Sequence, residues 1–177
     1  MHNQIIDKYY PEANDLRHIL ITHSTPVMQR AVRICDAHPE LHIDRQFVIE
    51  AAMLHDIGIF RCHAPSIHCM GDEPYICHGR IGAELMRAEG YPRHARVCER
   101  HTGAGLTKHD IISQKLPLPE EDFLPETIEE KVICYADKFY SKTRLNHEKS
   151  FEEALRSLQK FGEEGVLRFR EWKNLFE

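Results

Sequence analysis

The amino-acid sequence predicts an all-α fold that forms one domain over residues 1–177. No segment alternates between polar and apolar residues over the length of a strand, whereas apolar residues recur at the three- and four-residue spacing of a helix face. A chain of 177 residues is long enough to bury a core, and it contains no repeat, low-complexity tract or linker that would divide it. A single helical domain therefore accounts for the whole pattern.

Local signals place the ends of the individual helices. Ser24 and Asp44 stand where an N-cap is expected, Pro26 falls in the first turn after Ser24, and Thr107 has the spacing of a capping box with Asp110. Residues 60–75 combine Gly, Pro, Cys and His without a helical period, which predicts a long irregular loop. Helices are predicted over residues 3–9, 12–21, 24–37, 45–57, 78–89, 94–101, 107–116, 126–140, 147–161 and 164–175.

Composition excludes several classes of protein. The formal net charge of −5 argues against a nucleic-acid binder, which normally presents a basic face. No run approaches the ~18 apolar residues of a membrane span, and the N-terminus lacks the features of a secretory signal. We therefore expect a cytoplasmic protein that binds neither a membrane nor a nucleic-acid polymer, with its six cysteines reduced.

The chain has 13 histidines, and several of them extend the apolar stripes of predicted helices. A single histidine on such a stripe usually needs only a hydrogen-bond partner. Here, however, five helices each present a polar ligand-type residue on the face that should turn inward, and a shared metal would satisfy them together. We therefore interpret the pattern as one metal site to which these helices contribute His23, His55, His78, His101 and Asp137.

The order of these residues resembles the HD superfamily of metal-dependent phosphohydrolases. His23, the adjacent pair His55–Asp56 and Asp137 match its H…HD…D pattern, and HDIG at residues 55–58 is the form of one subgroup. HGRIGAEL at residues 78–85, ERHTGAG at 99–105 and YADKF at 135–139 are similar to the two-metal symmetrical dinucleoside tetraphosphatases. The resemblance covers residues 23–142. It implies a helical bundle with a metal site in its core, on which helices 147–175 pack.

Six ligands are too many for one tetrahedral zinc ion. Imidazole and carboxylate ligands without thiolate suit Fe, Mn, Zn or Ni. The resemblance implies two metal ions, preferably iron, which Asp56 bridges; His23, His55 and Asp137 would complete one site, and His78 and His101 the other. A hydroxide between the ions would attack the phosphorus, because coordination lowers the pKa of water to about 7.

Substrate contacts are harder to assign from the sequence. Arg61 is the preferred phosphate contact, because it begins the loop that would cover the site, and with Asp56 it forms the predicted catalytic set. Arg80, Arg100, His109 and the glycine-containing segment 102–107 are weaker candidates. Many two-metal relatives carry a lysine after HDIG, where this chain has Ile59. We expect a small phosphorylated substrate, and a chain that is either a monomer or a homodimer.

Two other functions fit the same ligand set. One is a di-iron oxygenase, because some members of the superfamily with this number of ligands use mixed-valent iron. The other is a non-catalytic module that binds a metal or a nucleotide. The similarity of residues 78–85 and 99–105 to the tetraphosphatases favours the hydrolase.

Overall fold

A computed structural model describes all 177 residues and contains nine α-helices. The predicted all-α class is confirmed, and the strands form only one small sheet. None of the helices is long and apolar enough to cross a membrane. The helices are α1 His2–Tyr9, α2 Asp15–Ala37, α3 Arg45–Leu54, α4 His78–Ala88, α5 Pro92–Arg100, α6 Lys108–Ser113, α7 Ile128–Asp137, α8 Phe151–Leu158 and α9 Glu163–Phe176.

Helix α2 is continuous where the sequence predicts two helices. Asn14 caps it, and Pro26 lies inside it rather than in the first turn of a new helix. An internal proline removes one backbone hydrogen bond and crowds the preceding turn. The helix continues because Leu20 and Val27, which share a face on either side of this turn, are both fully buried. The free energy gained by burying this face outweighs the cost of the hydrogen bond that Pro26 removes.

The loop predicted over residues 60–75 contains a three-stranded sheet. Its strands are β1 Cys62–Ala64, β2 Cys69–Met70 and β3 Glu73–Pro74. β1 lies in the middle, antiparallel to β2 and parallel to β3. Strands of two or three residues are too short to produce a recognisable alternation, which is why the sequence pattern missed them. All six cysteines are free and buried.

The core consists of two hydrophobic clusters. The first cluster joins residues of α2, α3 and α7, such as Tyr135, to Phe169 and Trp172 of α9 and to α8. The second cluster contains Leu54 and Ile81 and joins α1, α3, α4 and the small sheet. Helices α2, α3 and α5 contribute to both clusters. The C-terminal helices α8 and α9 thus pack on the part of the chain that carries the motifs.

Gly58 holds the turn after α3 against helix α4. The sequence suggests that this glycine ends the helix by freeing the backbone, but its φ of −83° is open to any residue. A Cβ atom at this position would lie 2.4 Å from the carbonyl oxygen of His78 and 2.5 Å from the amide nitrogen of Gly82. Glycine is therefore required by the close approach of two backbones.

Gly58→Ala should lower the free energy of unfolding by about 1–3 kcal/mol, because the added methyl group meets rigid helix backbone. Urea denaturation followed by circular dichroism measures this change. Gly165→Ala is the matched control: its nearest neighbour would be Ala104 Cβ at 3.8 Å, and helix propensity favours alanine by about 0.5–1 kcal/mol. Equal stabilities of the two variants would contradict the packing role of Gly58.

Candidate metal centre

The structure brings all six predicted ligands into one buried cluster. His23 comes from the middle of α2, and the pair His55–Asp56 follows the last residue of α3. The other three stand at helix ends: His78 begins α4, His101 follows α5 and Asp137 is the last residue of α7. Each of the six is less than one-tenth exposed, and Asp56 is not exposed at all.

Four of these residues form a first group around one point. His23 Nε2 lies 3.0 Å from Asp137 Oδ1 and 3.2 Å from Asp56 Oδ2. His55 Nε2 lies 3.0 Å from the same oxygen of Asp56 and 3.4 Å from Asp137 Oδ1. One ligand atom from each residue thus falls within 4.8 Å of all the others, close enough for one metal ion to contact the four.

The second group uses the other oxygen of Asp56. His78 Nε2 lies 3.3 Å and His101 Nε2 lies 3.4 Å from Asp56 Oδ1. The two Nε2 atoms are 3.0 Å apart. Asp56 therefore presents one carboxylate oxygen to each group, which is the arrangement of a bridging ligand.

Backbone carbonyl groups orient three of the four imidazole rings. In His55, His78 and His101 the Nδ1 atom lies 2.7 Å from the carbonyl oxygen of the residue three positions earlier. Nδ1 therefore carries a proton and donates it, so that Nε2 points into the cluster. The carbonyl groups belong to Ala52, Tyr75 and Cys98.

The cluster contains buried polar atoms that the protein itself does not satisfy. Neither oxygen of Asp56 accepts an aligned hydrogen bond, and His55 Nε2 has no hydrogen-bond partner. Buried polar atoms without an aligned hydrogen bond are unfavourable, and a metal ion that binds them removes that cost. The donor set of imidazole nitrogens and carboxylate oxygens is one that divalent metals bind. These residues therefore fit metal ions.

The protonation states of His78, His101 and Asp56 suit metal binding. Burial lowers the pKa of His78 to about 3 and also lowers the pKa of His101, so both rings are neutral, as ligands must be. Burial opposes the ionisation of Asp56, but the positive charges of His55 and Lys142 hold its pKa well below the usual range. Burial likewise opposes protonation of His55, yet Asp56 and Asp137 raise its pKa to about 9, so that without a metal ion its ring is protonated. A metal ion bound to the first group would displace that proton from Nε2.

Two lysines that the sequence analysis did not identify contact the carboxylates. Lys142 Nζ lies 2.6 Å from Asp56 Oδ2, and Lys138 Nζ lies 2.6 Å from Asp137 Oδ2. Their only signal in the sequence is their position one and five residues after Asp137, within and just beyond the YADKF motif. Their ammonium groups place positive charge at the open edge of the cluster.

A cavity of about 370 Å³ adjoins the cluster and reaches it at His23 and Asp137. One wall comes from the region predicted as a covering loop, through Ala64, Ser66, Ile67 and Tyr75. The rest is rich in basic and hydroxyl groups from the segment after α7, including the four lysines Lys138, Lys142, Lys149 and Lys160. The cavity therefore joins a metal-binding cluster to a basic wall.

Arg61 does not line this cavity. Its side chain is exposed, and its guanidinium carbon lies 5.6 Å from the centroid of the Phe60 ring. The structure therefore does not support Arg61 as the phosphate contact, because the turn after HDIG directs it to the surface. Arg80 instead pairs with Glu84, and Arg100 donates to the carbonyl oxygen of Leu124.

The segment 102–107 leads into the capped start of α6 and is not free to bind an anion there. The amide N–H of Thr107 donates to the Asp110 carboxylate, and that of Lys108 donates to Asp122. The start of α6 is thus already occupied by acidic side chains, and the predicted capping box is present. His109 is exposed.

Comparison with known proteins assigns the family. The HD domain model matches residues 20–141, which is more than half of the chain and includes all six ligands. The chain therefore belongs to the HD domain family, and the predicted membership of the HD superfamily is confirmed. The finer resemblance to symmetrical dinucleoside tetraphosphatases stays a prediction.

Among proteins of similar sequence, a tRNA (cytidine(56)-2'-O)-methyltransferase of Picrophilus torridus is 38% identical over 128 residues, covering 72% of this chain and 33% of that protein. An uncharacterized protein of Methanocaldococcus jannaschii is 39% identical over 103 residues, covering 58% of this chain and 53% of that protein. The chain thus spans about one third to one half of the length of these curated relatives.

A solved structure has the same fold. The HD domain of the L. monocytogenes phosphodiesterase PgpH aligns with a TM-score of 0.55 at 15% sequence identity, covering 94% of this chain and 93% of that chain. At this level of identity the likeness concerns the fold. It extends beyond the residues matched by the family model and includes the C-terminal helices.

Divalent metal ions should stabilise the protein against heat. At a free-ion concentration a hundredfold above the dissociation constant, one bound ion adds about 2.7 kcal/mol, which raises Tm by roughly 5–11 °C for a domain of this size. Differential scanning calorimetry after chelation and again after metal addition measures the shift. His101→Ala should reduce the shift, whereas His94→Gln, a control at a buried histidine outside the cluster, should retain it. A shift that is equal in both variants would exclude His101 as a ligand.

Proposed function

We propose that the protein is a metal-dependent phosphohydrolase that acts on a small phosphorylated molecule such as a nucleotide. The observation that carries this proposal is the junction between the buried ligand cluster and a cavity lined by four lysines. Carboxylates and imidazoles attract cations, whereas the lysines attract an anion to the same place. A phosphate ester needs both, because its negative charge increases as the phosphoryl group is transferred.

The ligand geometry favours two metal ions, and the ligand types suit iron. Asp56 turns one oxygen to each group, so that His23, His55 and Asp137 would hold one ion, and His78 and His101 the other. Bound metal ions lower the pKa of coordinated water and neutralise charge on the phosphoryl group. The chain itself supplies the orientation, through the carbonyl groups that fix three of the imidazole rings.

The cavity suits a small substrate rather than a polymer. Its volume of about 370 Å³ lies in the lower part of the range of small-molecule pockets, which is about 300–1,000 Å³. Lys142 and Lys138, which pair with Asp56 and Asp137, are positioned to contact phosphate oxygens beside the cluster. They replace Arg61 as the preferred phosphate contacts.

The other functions are less well supported by the residues. Some relatives are named as tRNA methyltransferases, but this chain matches only about one third of their length. We therefore do not propose methyl transfer to tRNA for this chain. A di-iron oxygenase could use the same ligands, but oxygen activation does not call for four lysines around the substrate cavity. A non-catalytic module would not need ligand atoms that open onto such a cavity.

Protein purified without oxygen should contain two metal ions per chain, with iron predominant. His78→Ala should retain about one, because it removes a ligand of the second group and leaves the first group complete. Elemental analysis by mass spectrometry measures both values. Unchanged metal content in His78→Ala would contradict the assignment of the second group.

Asp56→Asn should lower the rate of phosphate release by about 10³-fold or more, because a neutral amide cannot bridge two cations that contribute several kcal/mol to the transition state. A panel of nucleotides, dinucleoside polyphosphates and simple phosphoesters, assayed for released phosphate with metal supplied, provides the measurement. Asp72→Asn, at an exposed aspartate of the covering region, is the control and should keep wild-type activity.

Circular dichroism of Asp56→Asn should match that of the wild type, so that lost activity is not lost folding. Wild-type turnover by the metal-loaded variant would overturn the bridging role. Oxygen consumption by the wild type, with no phosphate released from any compound of the panel, would favour the oxygenase instead.

A further inference from the structure

We infer that Lys149 and Lys160 bind a second phosphate group of the substrate. The substrate class is then a small molecule that carries two separate phosphates, one at the metal cluster and one at these lysines. This inference rests on the proposed function, because it takes the metal cluster as the place of the first phosphate. It adds a specificity site outside the metal ligands.

The four lysines of the cavity fall into two pairs. Lys138 and Lys142 are each neutralised by a carboxylate of the cluster. Lys149 and Lys160 also line the cavity, but neither ammonium group forms an ion pair or donates a hydrogen bond to another residue. The second pair thus presents two ammonium groups to the cavity without an ion-paired carboxylate.

The surroundings make an anion favourable at this pair. Lys149 is half-buried and Lys160 is exposed. Burial lowers the pKa of Lys149, as do the positive charges of Lys138 and Lys160, whereas Asp137 and Glu153 act in the opposite direction. Like charges held close together repel each other, and the repulsion is greater where water is partly excluded. A doubly charged phosphate between the two ammonium groups would remove this repulsion and add charge-assisted hydrogen bonds.

The fold holds these lysines in place through the segment that follows α7. The amide N–H of Lys149 donates to the carbonyl oxygen of Phe139 at 2.8 Å, which folds the segment back along the end of the helix. Ser150 then caps α8, and Lys160 lies in the 3-10 turn Gln159–Phe161 that ends it. Both lysines thus stand at fixed points of the backbone, at the two ends of α8.

Lys149 and Lys160 lie beyond residue 141, the last residue that the HD domain model matches. The metal ligands, by contrast, all lie within the matched part. The second phosphate site would therefore lie outside the part of the chain that the family model matches.

The test uses two probes that differ by one phosphate group, adenosine 5′-monophosphate and adenosine 3′,5′-bisphosphate. Isothermal titration of the metal-loaded protein measures the Kd of each, and released phosphate is assayed in parallel. The wild type should bind the bisphosphate about tenfold more tightly than the monophosphate. In Lys149→Gln/Lys160→Gln this preference should fall to about twofold or less, while the Kd of the monophosphate changes by less than about threefold.

Lys108→Gln/Lys115→Gln is the matched control. It removes the same charge from two exposed lysines that do not line the cavity, so the preference for the bisphosphate should remain. Loss of the preference in this control would assign the effect to overall charge and overturn the inference. So would a wild type that binds both probes equally or binds no bisphosphate.

The titration tests the second phosphate site, and the phosphate-release assay tests the proposed function, so that the two can fail independently. A lysine-dependent preference for the bisphosphate supports the second phosphate site even if no compound releases phosphate, in which case the hydrolase proposal alone fails. Phosphate release without such a preference supports the hydrolase and overturns the second site.

Discussion

The constraint on which the rest of the structure depends is the complete burial of one carboxylate. Asp56 has no exposed surface, and its oxygens face imidazole nitrogens from four different elements of the fold. An ionised carboxylate in such a position is tolerated only if positive charge surrounds it. The helices are therefore arranged around Asp56 as much as around the apolar core. Removing this charge would leave the four buried histidines that face Asp56 without the carboxylate that they contact.

The position of the cluster between two apolar regions explains how this arrangement is held. Along α2, Leu20 belongs to the second hydrophobic cluster and Val27 to the first, with His23 between them. Along α3, Ala52 belongs to the first cluster and Leu54 to the second, and His55 follows directly. His23 and His55 thus lie where α2 and α3 pass from one apolar cluster to the other. Each cluster can pack tightly without enclosing a charge.

The clustering of the six candidate metal ligands could be predicted from the sequence, whereas the residues that line the adjoining cavity could not. His23, His55 and Asp137 extend apolar stripes at helical spacing, so that their inward direction follows from the periodicity of the helix. Arg61, Lys149 and Lys160 lie in turns or irregular segments, where the direction of a side chain depends on contacts made after the elements have packed. The sequence predicts a helix over residues 147–161, but α8 spans only Phe151–Leu158, so helical periodicity does not give the directions of Lys149 and Lys160. Arg61 lies in the turn after HDIG, and its predicted role as a phosphate contact is not supported.

The same distinction applies to the helices and strands. The caps at Asp44 and Thr107 act within one turn of helix, and both are present in the structure. The continuity of α2 through Pro26 depends on distant burial, which a local proline signal does not contain. The two-residue strands depend on pairing with one another rather than on their own composition. Helix caps, which depend on neighbouring residues, could therefore be predicted from the sequence. The continuity of α2 and the pairing of the short strands, which depend on tertiary contacts, could not.

The orientation of the imidazole rings by backbone carbonyls has a consequence for how this site can change over generations. Every residue type provides the same carbonyl oxygen, so these three hydrogen bonds do not depend on the side chains of Ala52, Tyr75 and Cys98. In many metal sites a carboxylate side chain performs this task and must be inherited together with the ligand. Here the hydrogen-bond acceptors are backbone carbonyl groups, so the sequence contains no particular residue type that would reveal them. The same ring geometry can therefore be supported by different residue types at these three positions.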